Sequence, residues 1–444
     1  MKKRLICFFS VLLILVVSMY MPVSAYEPVG FDISAKTAII ASIDTGDVLY
    51  SRNPDKKIYP ASITKIMTVT LMLESKKYNP KGKISMTESV LKTVSGTGSS
   101  VSNLNAGDTI TQLDLVYLVL MASYGDCAYL AADYYGGSLD GFVKMMNDKA
   151  EKLGLENTHY ENPVGLHSPD NYTTASDTLK LTKYALKNPT FKMICETTRY
   201  NFKIIGTDRQ RTVSTTNFLQ DNTTNYYYPY AKGVKTGYTD EAGRCLVSTA
   251  SYNGFNYICV LFGCPVDPSR RHEFVDSKNL YRWAFNTFTY KEAANEKNPV
   301  CEIGVRLSLQ TDFIPLYLKE KYMTVLPANA DTSTITVEPI LKSDTVDAPV
   351  KKGDVLGKAN IIYAEKVLGT VDLVAVEDVK RSKLLYAADK IKAFFISKYM
   401  IGVYIVLAIL IVWFFVSIIR LNRGRKNKRK VKYIPYKGEN HSKK

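Results

Sequence analysis

The sequence predicts an α+β domain over residues 26–295, a small all-β domain over 300–378 and one transmembrane helix over 399–419. Three observations predict it. Helical periodicity and strand alternation are interleaved up to about residue 295. Short strand-like runs between Gly, Pro and Asp turns follow Pro299, and residues 399–419 carry no charge.

The chain opens with Lys2, Lys3 and Arg4, an apolar run, and the small residues Val23, Ser24 and Ala25 before Tyr26. That order is the pattern of a secretory leader, assigned to 1–25. Residues 37–43 and 47–50 read as a hairpin about Thr45-Gly46. Residues 110–121 and 142–153 space their apolar side chains as helices do. Residues 245–251 and 255–262 alternate as strands and are joined by Asn253-Gly254, a strong hairpin signal. Beyond Pro299, residues 305–325, 334–340, 359–363 and 370–375 read as short strands. Residues 380–398 are charged and partly amphipathic and link this part to the span. In the tail, 420–444, eleven Lys and Arg face the single acid Glu439. By the positive-inside rule the tail stays in the cytoplasm and the domains lie outside.

The formal charge is +16, of which the tail carries +10 and the leader +3. The high isoelectric point therefore reports topology and is no argument for nucleic acid. Six cysteines follow the leader, at 127, 195, 245, 259, 264 and 301. An exported chain of this size can bury a core without disulfides, so mostly free, buried thiols are expected. Four scattered histidines and no His-Glu-x-x-His give no metal site, and no cofactor is expected.

The chemistry-bearing candidate is "YPASITKIMTVTL", where Ser62 stands three residues before Lys65. Pro60 suits a helix start, so the two would share a helical face. A serine there also has its own N–H free to donate to an oxyanion. An ordinary helix cap gives the same pattern, and Ser89 with Lys92 repeats the spacing. Lys235-Thr236-Gly237, just before a strand and hairpin, decides between them. Ser-x-x-Lys followed by Lys-Thr-Gly marks the serine β-lactamases and penicillin-binding proteins.

The chain resembles the low-molecular-mass penicillin-binding proteins, the D-alanyl-D-alanine carboxypeptidases. The resemblance is carried by "IDTGDVLYSRNPDKKIYPASITKIMT", "NPVGLHSPDNYTTASDTLKLTKYALKNPTF", "STTNFL", "GVKTGYTDEAGRCLVSTA" and "DSKNLYRWAF", and "APVKKGDVLGKANI" resembles the family's second domain. It implies a penicillin-binding protein/serine β-lactamase-like fold and a serine hydrolase acting on peptidoglycan stem peptides ending in D-Ala-D-Ala. β-Lactams would be acylating inhibitors. Ser62 would be the acylated nucleophile and Lys65 its base, kept neutral by burial and by the nearby Lys235. Lys235 and Thr236 would bind the substrate carboxylate beside Gly237. The backbone N–H groups of Ser62 and Tyr238 would form the oxyanion hole, and Ser123 would relay a proton to the leaving amine.

One departure stands out. The family's middle motif is Ser-x-Asn, whereas this chain has Ser123-Tyr124-Gly125, followed by Asp126. The asparagine would hold the base lysine and contact the substrate's amide carbonyl. Losing one such positioning bond costs roughly two to three orders of magnitude in rate. Tyr124 or a water is the candidate stand-in. The alternative reading is therefore a membrane-tethered, weakly active or inactive wall-binding homologue. A third reading, a β-lactamase, is opposed by the β-rich domain and the span. A second departure is Glu273, which occupies the register of an arginine expected to support carboxylate binding, with Arg270 and Arg271 just upstream. His167, Asp177 and Cys127 read as structural.

Overall fold

The computed structural model describes residues 30–428 together with Pro28, so the leader and most of the basic tail lie outside the described residues. The chain forms two compact units. One comprises the chain up to Glu292 plus Met323–Thr332, the other Ala293–Tyr322 and the chain from Ser333 onward.

The first unit is organised around a five-stranded sheet of β1 (Thr37–Ser42), β2 (Val48–Arg52), β3 (Ala231–Thr239), β4 (Gly243–Tyr252) and β5 (Phe255–Cys264). Its order is β2-β1-β5-β4-β3, and every neighbouring pair is antiparallel. Both faces are covered, so residues of either parity along these strands are buried. The two-residue period sorts the side chains. Ile39, Ala41, Val247, Ile258 and Val260 enter one core, and Ala38, Ile40, Leu246, Cys259 and Leu261 enter the other. Between β4 and β5, Asn253 and Gly254 both take positive φ (50° and 83°), as the right-handed strand twist requires of a two-residue hairpin.

The first core holds α1 (Lys65–Glu74), α2 (Gln112–Leu120) and α3 (Gly125–Gly136). Helix α1 is buried from Lys65 through Met72, so it runs through the core and not along a surface. The side chain of Thr111 caps α2, and Asp114 returns the bond to the Thr111 N–H at 2.8 Å. The second core is closed by α4 (His272–Thr287), through Phe274, Leu280 and Trp283. A small two-stranded sheet, β6 (Phe288–Ala294) with β7 (Tyr322–Pro327), follows. Asp47 accepts from Thr324 Oγ1 at 2.8 Å and Val325 N at 3.0 Å, which ties β7 to the turn after β1.

The second unit carries a six-stranded sheet in the order Thr336–Leu341, Val355–Tyr363, Lys366–Ala375, Phe313–Leu318, Pro299–Arg306, Thr345–Asp347. Only its last pair is parallel among the register-assigned neighbours. Its core is built from alternate residues such as Ile314, Leu316 and Leu318. The charged stretch that follows becomes α5 (Lys383–Ile396), capped by Ser382, and α6 (Lys398–Lys428) comes next. From Lys398 to Arg423 α6 is long and apolar enough to cross a membrane, and none of it is buried. The six described cysteines are free; five are buried and Cys301 is half-buried.

Candidate active site

Pro60 leads into a short 3-10 turn, Ala61–Thr64, that continues directly into α1. Ser62 therefore sits in the turn before the helix, and Lys65 is the first helical residue. Ala61 is held at φ +46°, a conformation that costs a residue bearing a Cβ. Its neighbours explain the constraint. A Cβ on Gly237 would lie 3.2 Å from both Ala61 Cβ and Ser62 N, and one on Gly165 would collide with the Ala61 carbonyl. Two glycines thus let β3 and the 162–166 loop close onto the Ser62 turn.

Lys65 Nζ lies 2.9 Å from Ser62 Oγ and donates to the Val164 carbonyl at 3.1 Å. The lysine is 1 % exposed, and burial lowers its pKa to about 7 against the opposing pull of Asp126 and Cys127. A neutral amine donates to Val164 while accepting from the serine O–H, which is the arrangement of a base on a nucleophile. Val164 is itself held from below. Asn162 Oδ1 accepts from the N–H groups of Val164, Gly165 and Leu166 at 3.3, 2.8 and 3.0 Å, and its Nδ2 donates to the Leu166 carbonyl at 3.1 Å. The other Ser-x-x-Lys pair has none of this. Lys92 is three-quarters exposed and pairs with Glu88 at 2.9 Å.

Lys235 is also 1 % exposed, with Nζ donating to the Thr236 carbonyl at 2.9 Å. Burial, and then the charge of Lys65, push it well below the usual lysine value. Thr236 Oγ1 donates to Thr216 Oγ1 at 2.6 Å. Strand β3 is the edge of the sheet, so the backbone on its outer side is open for an extended peptide.

Ser123 stands at φ +65° before α3 and is 9 % exposed. A loop from Thr97 to Asn103 is clamped against it. Ser100 Oγ donates to the Ser123 carbonyl at 2.7 Å, and Gly125 N donates to the Ser100 carbonyl at 2.7 Å. The fully buried Asp126 accepts from Ser102 N at 3.0 and 2.9 Å and from Ser102 Oγ at 2.5 Å. Arg211 then holds the Ser102 and Asn103 carbonyls at 2.7 and 2.8 Å. The volume beside Gly125 is not empty. A Cβ there would overlap the Ser99 hydroxyl and lie 2.9 Å from Ser99 Cβ and 3.3 Å from the Ser100 carbonyl. Tyr124, by contrast, packs half-buried against the helical core. The buried Cys127 thiol is raised well above its ordinary value by burial and by Asp126, consistent with packing.

These groups open onto one cleft of about 900 Å³, lined by Ser62, Ser99, Ser123, Thr236, Gly237 and Tyr238, among others. Two arginines reach it, Arg244 and Arg271. The buried Glu273 accepts from Arg271 Nε at 2.6 Å, and Phe218 and Phe274 lie 5.0 and 4.8 Å from the guanidinium. Glu273 thus fixes an arginine two residues upstream so that it faces the cleft. His167 lies on the cleft wall with its ring against Tyr59, whereas Asp177 accepts from Asn157 N and Thr158 Oγ1 in a structural turn.

A paired serine and desolvated lysine under an open strand edge is an acyl-transfer geometry. A family profile described as D-alanyl-D-alanine carboxypeptidase matches residues 21–265, more than half of the chain. The chain belongs to that family. Residues 296–381 match the C-terminal domain of penicillin-binding protein 5. Within the family, the chain is 31 % identical to D-alanyl-D-alanine carboxypeptidase DacF of Bacillus subtilis, across 78 % of this chain and 86 % of that one. Penicillin-binding protein 5 from Haemophilus influenzae superimposes with a TM-score of 0.65 at 26 % identity, covering 79 % of this chain and 99 % of that one. The DD-transpeptidase of Streptomyces K15 gives 0.54 at 30 % identity, covering 57 % of this chain and 98 % of that one.

Sequence reasoning did not reach Asn162, Val164 or Ser99. Val164 acts through a backbone carbonyl, which no side-chain motif announces. A signal for Asn162 existed in "ENPVGLH", where an asparagine precedes a Pro- and Gly-containing turn, the setting in which such side chains bind following N–H groups.

Proposed function

We propose that the protein is a serine-type D-Ala-D-Ala carboxypeptidase that trims the terminal D-alanine from peptidoglycan stem peptides. The observation that carries this reading is Lys65 Nζ, 2.9 Å from Ser62 Oγ with its pKa brought to about 7. Ser62 Oγ attacks the carbonyl of the penultimate D-alanine as its proton passes to Lys65. The backbone N–H groups of Ser62 and Tyr238 receive the oxyanion. The C–N bond breaks, Ser123 relays a proton to the departing amine, and D-alanine leaves. Water then attacks the acyl-Ser62 ester, with Lys65 again taking the proton, and frees the shortened peptide. Lys235 and Thr236 hold the substrate carboxylate, with Arg271 as a second cation. A carboxylate arriving beside Lys235 favours the charged amine, against the burial that lowers its pKa.

The same reading makes β-lactams acylating inhibitors and places the catalytic unit outside the cell. It is held there by one pass of α6, with a cytoplasmic tail and a cleaved leader over 1–25. The domain limits are 26–295 and 300–378. Gly125 favours a second reading, a wall-binding homologue of low turnover.

Fluorescent penicillin followed by a D-alanine release assay separates the two. Wild type is expected to label, Ser62→Ala to remain dark, and a pentapeptide to release D-alanine. Equal labelling of Ser62→Ala would overturn the nucleophile assignment. Labelling without D-alanine release would establish the low-turnover reading.

A further inference from the structure

We propose that Ser99 is a substrate-contacting residue whose hydroxyl binds the amide carbonyl on the acyl side of the scissile bond. This rests on the acyl-transfer reading of the cleft. An extended acyl donor laid along the open edge of β3 directs backbone groups to the strand on one side and to the opposite wall on the other. The Thr97–Ser100 segment and Ser123 line the same cleft as Thr236 and Gly237 of β3.

Three features single out Ser99 there. Its side chain fills the space beside Gly125, so it stands where a longer residue at 125 would project. Its backbone is fixed on both sides, by its own N–H donating to Thr97 Oγ1 at 3.3 Å and by the bonds of Ser100 to Ser123 and Gly125. Among the described residues the hydrogen bonding of Ser99 is confined to that backbone N–H, so its hydroxyl has a donor to offer. A held hydroxyl on a half-exposed wall loses little freedom on binding, which is what makes one neutral hydrogen bond useful.

Gly125→Asn does not fill a hole. Its Cβ overlaps the Ser99 hydroxyl, so it should disturb the wall unless Ser99 is removed as well.

The test compares acylation of the full chain by benzylpenicillin, which carries a side-chain amide, with acylation by 6-aminopenicillanic acid, which lacks it. Ser99→Ala is expected to slow the first about tenfold and leave the second within about twofold, the worth of one neutral hydrogen bond. A general structural defect would slow both alike. Ser99→Gly with Gly125→Asn is expected to regain the amide preference, whereas Gly125→Asn alone is expected to lose it. Equal slowing of both β-lactams, or no slowing of either, overturns the role of Ser99 while leaving the acyl-transfer reading intact. A wild-type protein that neither compound acylates overturns that reading, and the role of Ser99 with it.

Discussion

Replacing Asn162 by alanine removes the clamp on the loop that holds Lys65, the proposed base. Its Oδ1 accepts from three N–H groups at 3.3, 2.8 and 3.0 Å, and its Nδ2 donates at 3.1 Å. At about 1 kcal/mol net for each well-formed bond and less for the 3.3 Å contact, the change is worth about 2–3 kcal/mol. Asn171 still holds the Leu166 carbonyl at 3.0 Å, so the loop shifts without coming away. The melting temperature should fall by roughly 4–10 °C for a unit of this size. Because the Val164 carbonyl that steadies Lys65 moves with the loop, acylation of Ser62 should slow by about tenfold to a hundredfold. A time course of fluorescent-penicillin labelling measures this, beside a thermal melt. Asn162→Asp is the informative partner. It retains an acceptor for the three N–H groups but adds a negative charge near Lys65, so its acylation should require higher pH. An Asn162→Ala protein that loses thermal stability yet acylates at the wild-type rate would refute the idea that this loop positions the base.

Three further outcomes follow from the same geometry. Acylation should rise through about pH 7, because Lys65, as the proposed base, acts only after losing its proton and its pKa lies near that value; a rate unchanged from about pH 6 to 8 would contradict it. Asp126→Asn removes a charge that raises the Lys65 pKa, so the rising limb of that profile should move to lower pH, and movement to higher pH would contradict the assignment. Gly165→Ala places a Cβ against the Ala61 carbonyl and 2.8 Å from Thr64 Oγ1 at φ +85°; we expect a loss of about 3 kcal/mol or more and no labelling, checked by denaturant melts, and wild-type stability would refute it.

The sheet and its hairpin were legible because their signals are local. Asn253-Gly254 specifies its own turn, and the two-residue period of β5 divides Ile258 and Val260 from Cys259 and Leu261 whatever lies above them. The Ser62–Lys65 pair was legible only in company with Lys235, since Ser89 and Lys92 carry the same spacing on a solvated helix. The remaining site residues are fixed by contacts across long stretches of chain. Val164 reaches Lys65 over a separation of 99 residues, and through a carbonyl that every residue possesses. Ser99 belongs to the site only through packing, because its side chain fills the space beside Gly125. A missing side chain in a motif shows where a contact has gone, but only packing shows what has entered the space.

The chain passes between the two units three times, after Glu292, Tyr322 and Thr332. Strand β7 belongs to the first unit although a stretch of the second precedes it in sequence. No single proteolytic cut at one of these crossings can therefore separate the first unit intact from the second sheet. Cleavage near residue 295 leaves β6 and Asp47 dependent on a strand carried by the other fragment. Cleavage between Thr332 and Lys366 divides the second sheet, separating Pro299–Arg306 and Phe313–Leu318 from the strands that complete it. Separating the two units would require local unfolding as well as a broken peptide bond, so resistance to cleavage between them is built into the route of the chain.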